Sequence, residues 1–372
     1  YLNTNDKSFV PDQLFAHNIQ QLTWQAALPF GQFRTTGWFG RTSNLIDDVF
    51  NSYSVIGSST GSVSGATLQT LPYSPKLGYV YPANLLSNGS NRGFSGTTWE
   101  GVRDSFAHFT SSSSPFKSPA SQLNVINNAF RDILSNSKSS QETLNTNAPG
   151  WNPSDGGIGA SLEAVFTQAA STLSSTTITV PDTAGGSPIS RSLPSQTFLN
   201  TIKNITKLIY SRGGGGGTLG LVQNRQLLFA GLGGFDNHNN LRYFHDPLLR
   251  TLDICLKALV DSLKLMGVYD DVVIFTESDF ARTLRSNGTY GTDHAWAGHS
   301  FVMGGSVNGG MYGSEPDYTL GGPMDVSNLG RFIPEYSIEQ YYSTLLRWFD
   351  VPETLIPLVL PAIPLFPTNN IG

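Results

Sequence analysis

This sequence is poor in charge, in cysteine and in long apolar runs, and each shortage excludes a class of protein. Charged residues make up 13% of the 372 residues, about half the share usual in soluble domains. With a net charge of −5, the chain has no excess of basic residues with which to bind a nucleic acid. The single cysteine, Cys255, excludes a framework of internal disulfides, and its place on the apolar stripe of a predicted helix indicates a buried thiol. No apolar run reaches the roughly 18 residues needed to cross a bilayer, so we expect no membrane span.

Small and uncharged polar residues are abundant instead, among them 39 glycines. A composition that is low in charge and rich in Ser, Thr and Asn favours an exported protein, and we expect a periplasmic or extracellular location. The first residue is Tyr1 and no signal peptide is recognisable. The sequence is therefore expected either to begin after processing or to lack an upstream part.

The C-terminal part of the chain alternates apolar runs with amphipathic helices. Residues 226–232, 271–276 and 300–303 are predicted to be buried strands. A helix that starts at Asp246 is predicted between the first two strands, and a last helix starts at Ser337 with a capping box. This alternation is typical of an α/β fold with a mostly parallel sheet flanked by helices.

The region from about residue 42 to 212 is less regular, and we predict a large insertion of helices and loops within a single domain that spans residues 1–372. Helices are predicted near residues 123–134, 160–173 and 198–210, and a hairpin is predicted to join 176–180 to 188–193. The glycine run at 213–217 is predicted to be a flexible connector rather than a phosphate-binding loop, because no Lys-Ser or Lys-Thr follows it.

Carboxylates and imidazoles gather just beyond the predicted strands or in the loop between two of them. Ligands of α/β sheets bind where strands end and loops begin, so these side chains are placed as a site requires. Mixed histidine and carboxylate ligands favour Zn²⁺, Mn²⁺ or Fe, with Ca²⁺ as an alternative. For any one cluster, loop-capping aspartates and hydrogen-bonded histidines explain the same pattern. The candidate metal ligands are Asp236, His238, Asp279, Asp293, His294 and His299.

Arg282 and His17 are the candidate catalytic residues. The guanidinium fork of Arg282 suits a phosphate or sulfate group, although an ion pair with Asp279 explains this arginine equally well. His17 is expected either to reach the site from the N-terminal part or to pack there with a hydrogen bond. Two other histidines are given structural roles, His245 at a helix surface or cap and His108 in an aromatic cluster.

Several segments of the chain resemble, in order and spacing, those of a known bacterial family. They lie at residues 14–21, 36–41, 234–238, 276–283, 287–294, 304–310 and 341–351. The family is catalogued as domain of unknown function 1501. It is a branch of the alkaline phosphatase/sulfatase superfamily, and its members are typically exported with a twin-arginine leader.

The resemblance implies an alkaline-phosphatase-like sheet with a metal centre at its strand ends. Asp236 and His238 match the family's Asp-Thr-His element, and the pair Asp293 and His294 matches its Gly-x-Asp-His element. Asp279 stands where the family commonly has Glu. The family opens with a strand and a Gly-Gly-x-Asp-Gly element, where superfamily enzymes place a metal carboxylate and the nucleophile. Nothing like that element occurs near the first residue, so the first strand unit is expected to be missing.

This departure leaves three alternatives. The sequence is a fragment or processed form, a second polypeptide supplies the missing strand, or the protein is a non-catalytic relative. We therefore name no nucleophile and carry two functions forward. The first is an exported metal-dependent hydrolase that acts on anionic phosphate or sulfate esters. The alternative is a surface protein that keeps the fold for binding or for structure, and self-association into ordered assemblies would support it.

Overall fold

The structure of the protein is a computed structural model, which describes residues 13–28, 37–45, 49–56, 79–82, 157–181, 187–194, 196–210 and 225–366. In chain order, the α-helices and strands of these residues are α1 (His17–Ala26), α2 (Trp38–Leu45), β1 (Val49–Ile56), β2 (Tyr79–Pro82), α3 (Ile158–Ser175), β3 (Thr177–Val180), β4 (Ile189–Ser192), α4 (Thr197–Tyr210), β5 (Arg225–Phe229), α5 (Leu241–Leu265), β6 (Ile274–Phe275), β7 (Val302–Met303), α6 (Ile338–Trp348) and α7 (Ile356–Val359). Two short 3-10 helices span Tyr269–Asp271 and Ile363–Leu365. The helix predicted near 123–134, the glycine run at 213–217 and His108 lie outside the described residues.

Three of these strands form a parallel sheet, and the other four form two antiparallel pairs. β1 is the central strand of the parallel sheet, with Tyr53 in register with Tyr79 of β2 and Phe50 in register with Gln226 of β5. β3 and β4 form the predicted hairpin. The mixture of helices and strands confirms the predicted α/β character.

The strands around residues 274 and 302 do not add to the predicted, mostly parallel sheet. β6 and β7 pair antiparallel, with Ile274 in register with Met303 and Phe275 with Val302. The chain between them contains no helix, and a parallel pair needs a long crossover connection, which is usually a helix. A continuous sheet of the alkaline phosphatase kind is not found among the described residues.

Helix α5 begins at Leu241 rather than at the predicted Asp246. The preceding residue, Asn240, has a left-handed backbone conformation with φ of 43°. The backbone N–H groups of Asn240 and Leu241 donate to the carbonyls of Thr289 and Tyr290, at 3.0 and 2.9 Å. The loop between β6 and β7 therefore satisfies donors at the start of the helix, and no local signal marks such a contact.

Two buried clusters hold the elements together. The first joins α3, α4 and α5 and includes Cys255, which is fully buried as predicted. Burial raises the pKa of its thiol to about 12, so the thiol is inert at neutral pH. The second cluster joins α2 to α6 and α7, with the ring of Trp38 stacked 4.4 Å from that of Tyr342. Among the described residues, no helix is long and apolar enough to span a membrane.

The start of α6 is the predicted capping box. Ser337 Oγ accepts the backbone N–H of Gln340 at 3.1 Å, and Gln340 Oε1 accepts that of Ser337 at 2.9 Å. One turn further on, the hydroxyl of Tyr341 donates to the carbonyl of Thr276 at 3.3 Å. Helix α6 therefore supports the segment that follows β6 and leads into the candidate site.

Candidate metal centre

Three imidazoles and one carboxylate converge beyond the end of β5. Asp236 and His238 follow β5, His294 lies between β6 and β7, and His17 is the first residue of α1. Oδ2 of Asp236 lies 3.2 Å from His17 Nε2, while Oδ1 lies 2.9 Å from His238 Nε2 and 3.2 Å from His294 Nε2. We call these four residues the imidazole cluster.

Each imidazole of the cluster donates a hydrogen bond outward from its other ring nitrogen, Nδ1. The acceptors are a backbone carbonyl and two carboxylates. A carbonyl and an ionised carboxylate can only accept hydrogen bonds, so Nδ1 carries the proton in each ring. In a neutral ring Nε2 then carries a lone pair. The three acceptors are Asp279 Oδ2 for His17 at 2.5 Å, Asp293 Oδ1 for His238 at 3.2 Å and the Phe15 carbonyl for His294 at 2.7 Å.

The atoms that face the centre of the cluster are therefore all electron-pair donors. His238 Nε2 lies 2.9 Å from His294 Nε2. His17 Nε2 is buried and has no hydrogen-bond partner among the described residues, because its 3.2 Å approach to Asp236 lacks hydrogen-bond geometry. Lone pairs and a carboxylate this close repel one another unless a cation lies among them. That cation is either a proton on a ring or a metal ion.

The donor set fits a transition metal. Imidazole nitrogen and carboxylate oxygen are ordinary ligands of zinc at about 2.0–2.2 Å. One ligand atom each from His17, Asp236 and His294 lies within 4.8 Å of the other two, and His238 Nε2 lies 2.9 Å from both His294 Nε2 and Asp236 Oδ1. His17, Asp236 and His294 can therefore share one ion, and His238 lies against two of these three ligands.

Arg282 fixes the carboxylate of the cluster. Its Nη1 donates to Asp236 Oδ1 at 2.5 Å, its Nε donates to Thr292 Oγ1 at 3.2 Å, and its Nη2 donates to the Thr292 carbonyl. Partial burial acts to raise the pKa of Asp236, but the hydrogen bond and the charge of Arg282 lower it below its ordinary value, and so do His17 and His238 when their rings are protonated. Asp236 is thus kept ionised, as a metal ligand must be. The ion pair of Arg282 is with Asp236 and not with Asp279.

Asp279, a predicted metal ligand, contacts the cluster from outside. Its Oδ2 accepts the Nδ1–H of His17 and also a hydrogen bond from Gln21 Nε2 at 3.2 Å. Its backbone carbonyl accepts from Trp24 Nε1 at 3.3 Å. A carboxylate in this position fixes the tautomer and the orientation of a metal-binding imidazole. In this geometry Asp279 acts on the cluster through His17.

Asp293 stands in the same relation to His238. Besides the imidazole, its Oδ1 accepts from Asn287 Nδ2 at 3.1 Å. The hydrogen bonds from Asn287 and His238 lower the pKa of Asp293. Asn287 Nδ2 also donates to the carbonyl of His238 at 2.9 Å. The side chain and the backbone of His238 are therefore both held by the segment that contains Asp293.

A close backbone contact holds these two segments together at Gly291. A Cβ atom placed there would lie 2.1 Å from the carbonyl carbon of His238 and 2.4 Å from the nitrogen of Asn239. These are backbone atoms, which cannot move aside as a flexible side chain can. The absence of a side chain at Gly291 therefore sets the position of His238.

Comparison with known proteins supports the family expectation for the part of the chain that contributes most of this site. Residues 221–330 match the model of a family described as Protein of unknown function (DUF1501). Over this stretch the chain is similar to DUF1501 proteins. The matched stretch includes Asp236, His238 and His294, but not His17. Among curated proteins and among solved structures, no match to the chain was found.

The structure does not bring every predicted residue to the cluster. His299 is exposed and contacts none of the cluster residues. His245 is partly buried on α5, where its ring meets that of Phe235 at a centroid distance of 5.5 Å, and burial lowers its pKa. Glu277 faces the core: its carboxyl group is buried even though the residue as a whole is only partly so. That burial raises its pKa to about 7, against hydrogen bonds with Tyr342 and Trp38.

Several groups around the cluster were not predicted from the sequence. The carbonyl of Phe15 is a backbone atom, and no residue type marks it. Asn287 and Thr292 lie within residues 287–294, the segment selected for its Asp-His pair, so inspection of their amide and hydroxyl groups could have found them. Arg331, whose Nε donates to the carbonyl of His294 at 2.7 Å, belongs to no recognised segment.

Proposed function

We propose that this protein binds a divalent transition-metal ion at the imidazole cluster and hydrolyses phosphate or sulfate esters there. One observation carries the metal assignment: three Nε2 atoms face an ionised carboxylate while all three Nδ1 atoms donate outward. Arg282 hydrogen bonds to Asp236 but to none of the three imidazoles. The lone pairs of the rings are therefore left for a cation from solution.

The ligand types favour Zn²⁺, Mn²⁺ or Fe over Ca²⁺, because Ca²⁺ selects oxygen ligands. Such an ion, when bound, polarises an ester oxygen and lowers the pKa of a bound water. The protein's own part is to hold the four ligands and to fix their orientation from outside. Asp279 and Asp293 do this for His17 and His238, and Arg282 does it for Asp236.

The choice of ester hydrolysis depends on the family resemblance. The match over residues 221–330 supports the resemblance to the family, and both ester hydrolysis and the superfamily link to alkaline phosphatases and sulfatases are part of our proposal. With it we propose an exported protein, periplasmic or extracellular. We further propose that β1, β2 and β5 belong to a larger parallel sheet of the alkaline phosphatase kind.

The second candidate function is metal binding without turnover, in a surface protein that binds a partner or self-associates. It is favoured by the state of two hydroxyl groups beside the cluster. Ser278 Oγ donates to the carbonyl of Phe280 at 3.3 Å, and Thr292 Oγ1 accepts from Arg282 Nε at 3.2 Å. Both hydroxyls are engaged in hydrogen bonds, and neither is placed as a nucleophile activated by a base.

The proposal is tested by metal content and by ester hydrolysis in matched variants. Purified protein is dialysed with Zn²⁺, Mn²⁺ or Fe²⁺, and its metal content is measured by mass spectrometry. We expect one ion per chain. The single variants His17→Gln, His238→Gln and His294→Gln should each weaken binding by more than the roughly 10- to 100-fold that loss of an outer partner causes. The control His299→Gln, at the exposed histidine outside the cluster, should bind as the wild type does.

Hydrolysis is measured with 4-nitrophenyl phosphate and 4-nitrophenyl sulfate. Metal-dependent release of nitrophenol that is lost in the His294→Gln variant supports the hydrolase. A stoichiometric metal without turnover of either ester supports the second candidate function. Wild-type protein that binds none of the three metals, or cluster variants that bind them unchanged, would contradict both functions.

A further inference from the structure

Arg331 places a guanidinium beside the imidazole cluster, and among the described residues only one of its nitrogens is in use. Its Nε donates to the carbonyl of His294 at 2.7 Å. Its Cζ lies 5.0 Å from the centre of the Phe15 ring, and the Phe15 carbonyl accepts from His294 Nδ1. Within the described part of the chain, neither Nη1 nor Nη2 of Arg331 makes a hydrogen bond or an ion pair. Arg331 therefore has four N–H donors directed to no protein group there.

The backbone that carries Arg331 is held firmly. The carboxylate of Asp325 is buried and accepts four backbone N–H bonds, from Gly321, Ser327, Gly330 and Arg331, at 2.9 to 3.1 Å. The next residue, Phe332, accepts the backbone N–H of Ala297 at 3.0 Å. The loop around Asp325 is thus fixed to the segment that contains His294. An arginine on such a base is oriented before any ligand arrives, which reduces the entropy lost on binding.

Arg282 and Arg331 differ in how many of their guanidinium nitrogens already donate to protein groups. All three guanidinium nitrogens of Arg282 donate, to Asp236 and to Thr292. Nη1 and Nη2 of Arg282 each keep one further N–H, but their existing bonds to Asp236 and Thr292 fix the direction of the fork. An anion could turn that fork towards itself only by breaking the bonds that fix the cluster carboxylate. Arg331 is partly exposed, and its charge is near enough to contribute to the lowered pKa of Asp293. Its outer nitrogens are available at no such cost.

We propose that Arg331 is the anion-binding residue of this site and holds the phosphate or sulfate group of an ester at the imidazole cluster. Two parallel N–H donors of a guanidinium match two oxygens of a tetrahedral oxyanion, and the cationic charge adds to each hydrogen bond. The stack on Phe15 restricts the plane of the fork. This inference rests on the proposed function, since it names the group that binds the substrate of the same site.

The test measures binding of inorganic phosphate and inorganic sulfate to the full, zinc-loaded chain by titration calorimetry. The Arg331→Met variant keeps an apolar stem against Phe15 but removes the donors, and we expect phosphate affinity to fall by about tenfold or more. Arg331→Lys, which keeps the charge but not the fork, should fall between wild type and Arg331→Met. The control Arg285→Met removes the same charge from a neighbouring exposed residue and should leave affinity unchanged.

Zinc stoichiometry of each variant is measured alongside, so that a disrupted cluster is not mistaken for lost anion contacts. If the wild type hydrolyses an ester, Arg331→Met should raise KM more than it lowers kcat. Equal phosphate affinity in wild type and Arg331→Met, or an equal loss in Arg285→Met, would overturn the proposal. A wild type without zinc shows that the proposed function fails. In that case phosphate binding is measured on the metal-free protein. Binding that is weakened in Arg331→Met supports the role of Arg331, and absence of binding refutes that role.

Discussion

Replacing Glu339 by glutamine should stabilise the protein relative to wild type, and this difference in unfolding free energy should grow as the pH rises. Glu339 lies in the first turn of α6, is 1% exposed, and its Oε1 has no hydrogen-bond partner among the described residues. Burial raises the pKa of its carboxyl group from 4.5 to about 7, although hydrogen bonds with its own backbone and with Ser337 oppose the shift. The native state therefore holds a proton that the unfolded chain releases at lower pH.

The sign and size of the effect follow from that shift. Below about pH 4.5 the carboxyl is protonated in both states, and its contribution to stability is fully present. This contribution is lost as the pH rises through the folded pKa near 7. A shift from 4.5 to about 7 corresponds to about 3 kcal/mol of unfolding free energy at 1.36 kcal/mol per unit. The Glu339→Gln variant does not titrate, so its stability relative to wild type should rise by about 3 kcal/mol between pH 4 and pH 8.

The assay is urea unfolding of both proteins at several pH values, followed by tryptophan fluorescence, since Trp38 packs in the same core cluster as α6. Comparison at each pH cancels the titration of every other group. The control Glu353→Gln changes a mostly exposed carboxylate that is paired with Arg347. The pKa of Glu353 is lowered, so the stability of this variant relative to wild type should change little with pH and in the opposite direction. A stability difference between Glu339→Gln and wild type that does not change with pH would refute the reasoning.

Two further predictions concern the support of the imidazole cluster. Asp279→Asn keeps the size of the side chain but loses the anionic acceptor of His17 Nδ1–H, so zinc affinity measured by competition with a chelator should fall roughly 10- to 100-fold; unchanged affinity would mean that Asp279 does not orient His17. Gly291→Ala places a Cβ 2.1 Å from the backbone of His238, and it should lower zinc affinity further by displacing that ligand. Gly288→Ala, where a Cβ would meet nothing within 4 Å, should leave zinc affinity unchanged. Equal zinc affinity in the two variants would count against this role of Gly291.

Elements with strong local signals were predicted from the sequence. The capping box at Ser337, the hairpin of β3 and β4 and the buried Cys255 each follow from residues close in sequence, and the structure confirms them. The antiparallel pairing of β6 with β7 depends on how the long connection folds back, which apolar periodicity does not record. The early start of α5 depends on carbonyls of Thr289 and Tyr290, far along the chain from the helix cap.

The candidate site divides in the same way. Asp236, His238 and His294 were named from residue type and from their place after or between strands, and the structure brings them together. Sequence cannot say which ring nitrogen faces inward, because that depends on acceptors such as Asp279 and the Phe15 carbonyl. The sequence therefore could not distinguish a metal-binding carboxylate such as Asp236 from a carboxylate such as Asp279, which only orients a metal-binding histidine. A single arginine in a loop, such as Arg331, carries no pattern at all until its neighbours are known.

His17 links parts of the chain that are far apart in sequence, since His17 and its partner Asp279 are separated by 262 positions. An ion bound there would act as a reversible fastener between helix α1 and the segments that follow β5 and β6. A chain emerging from the ribosome could not close the site until residue 294 had been made. Chelation should free the His17 end of α1, whereas Trp24 near the other end stays held by hydrogen bonds with Asp279 and Tyr342. The core of α3, α4 and α5 should stay packed, because no residue of α1 belongs to that buried cluster.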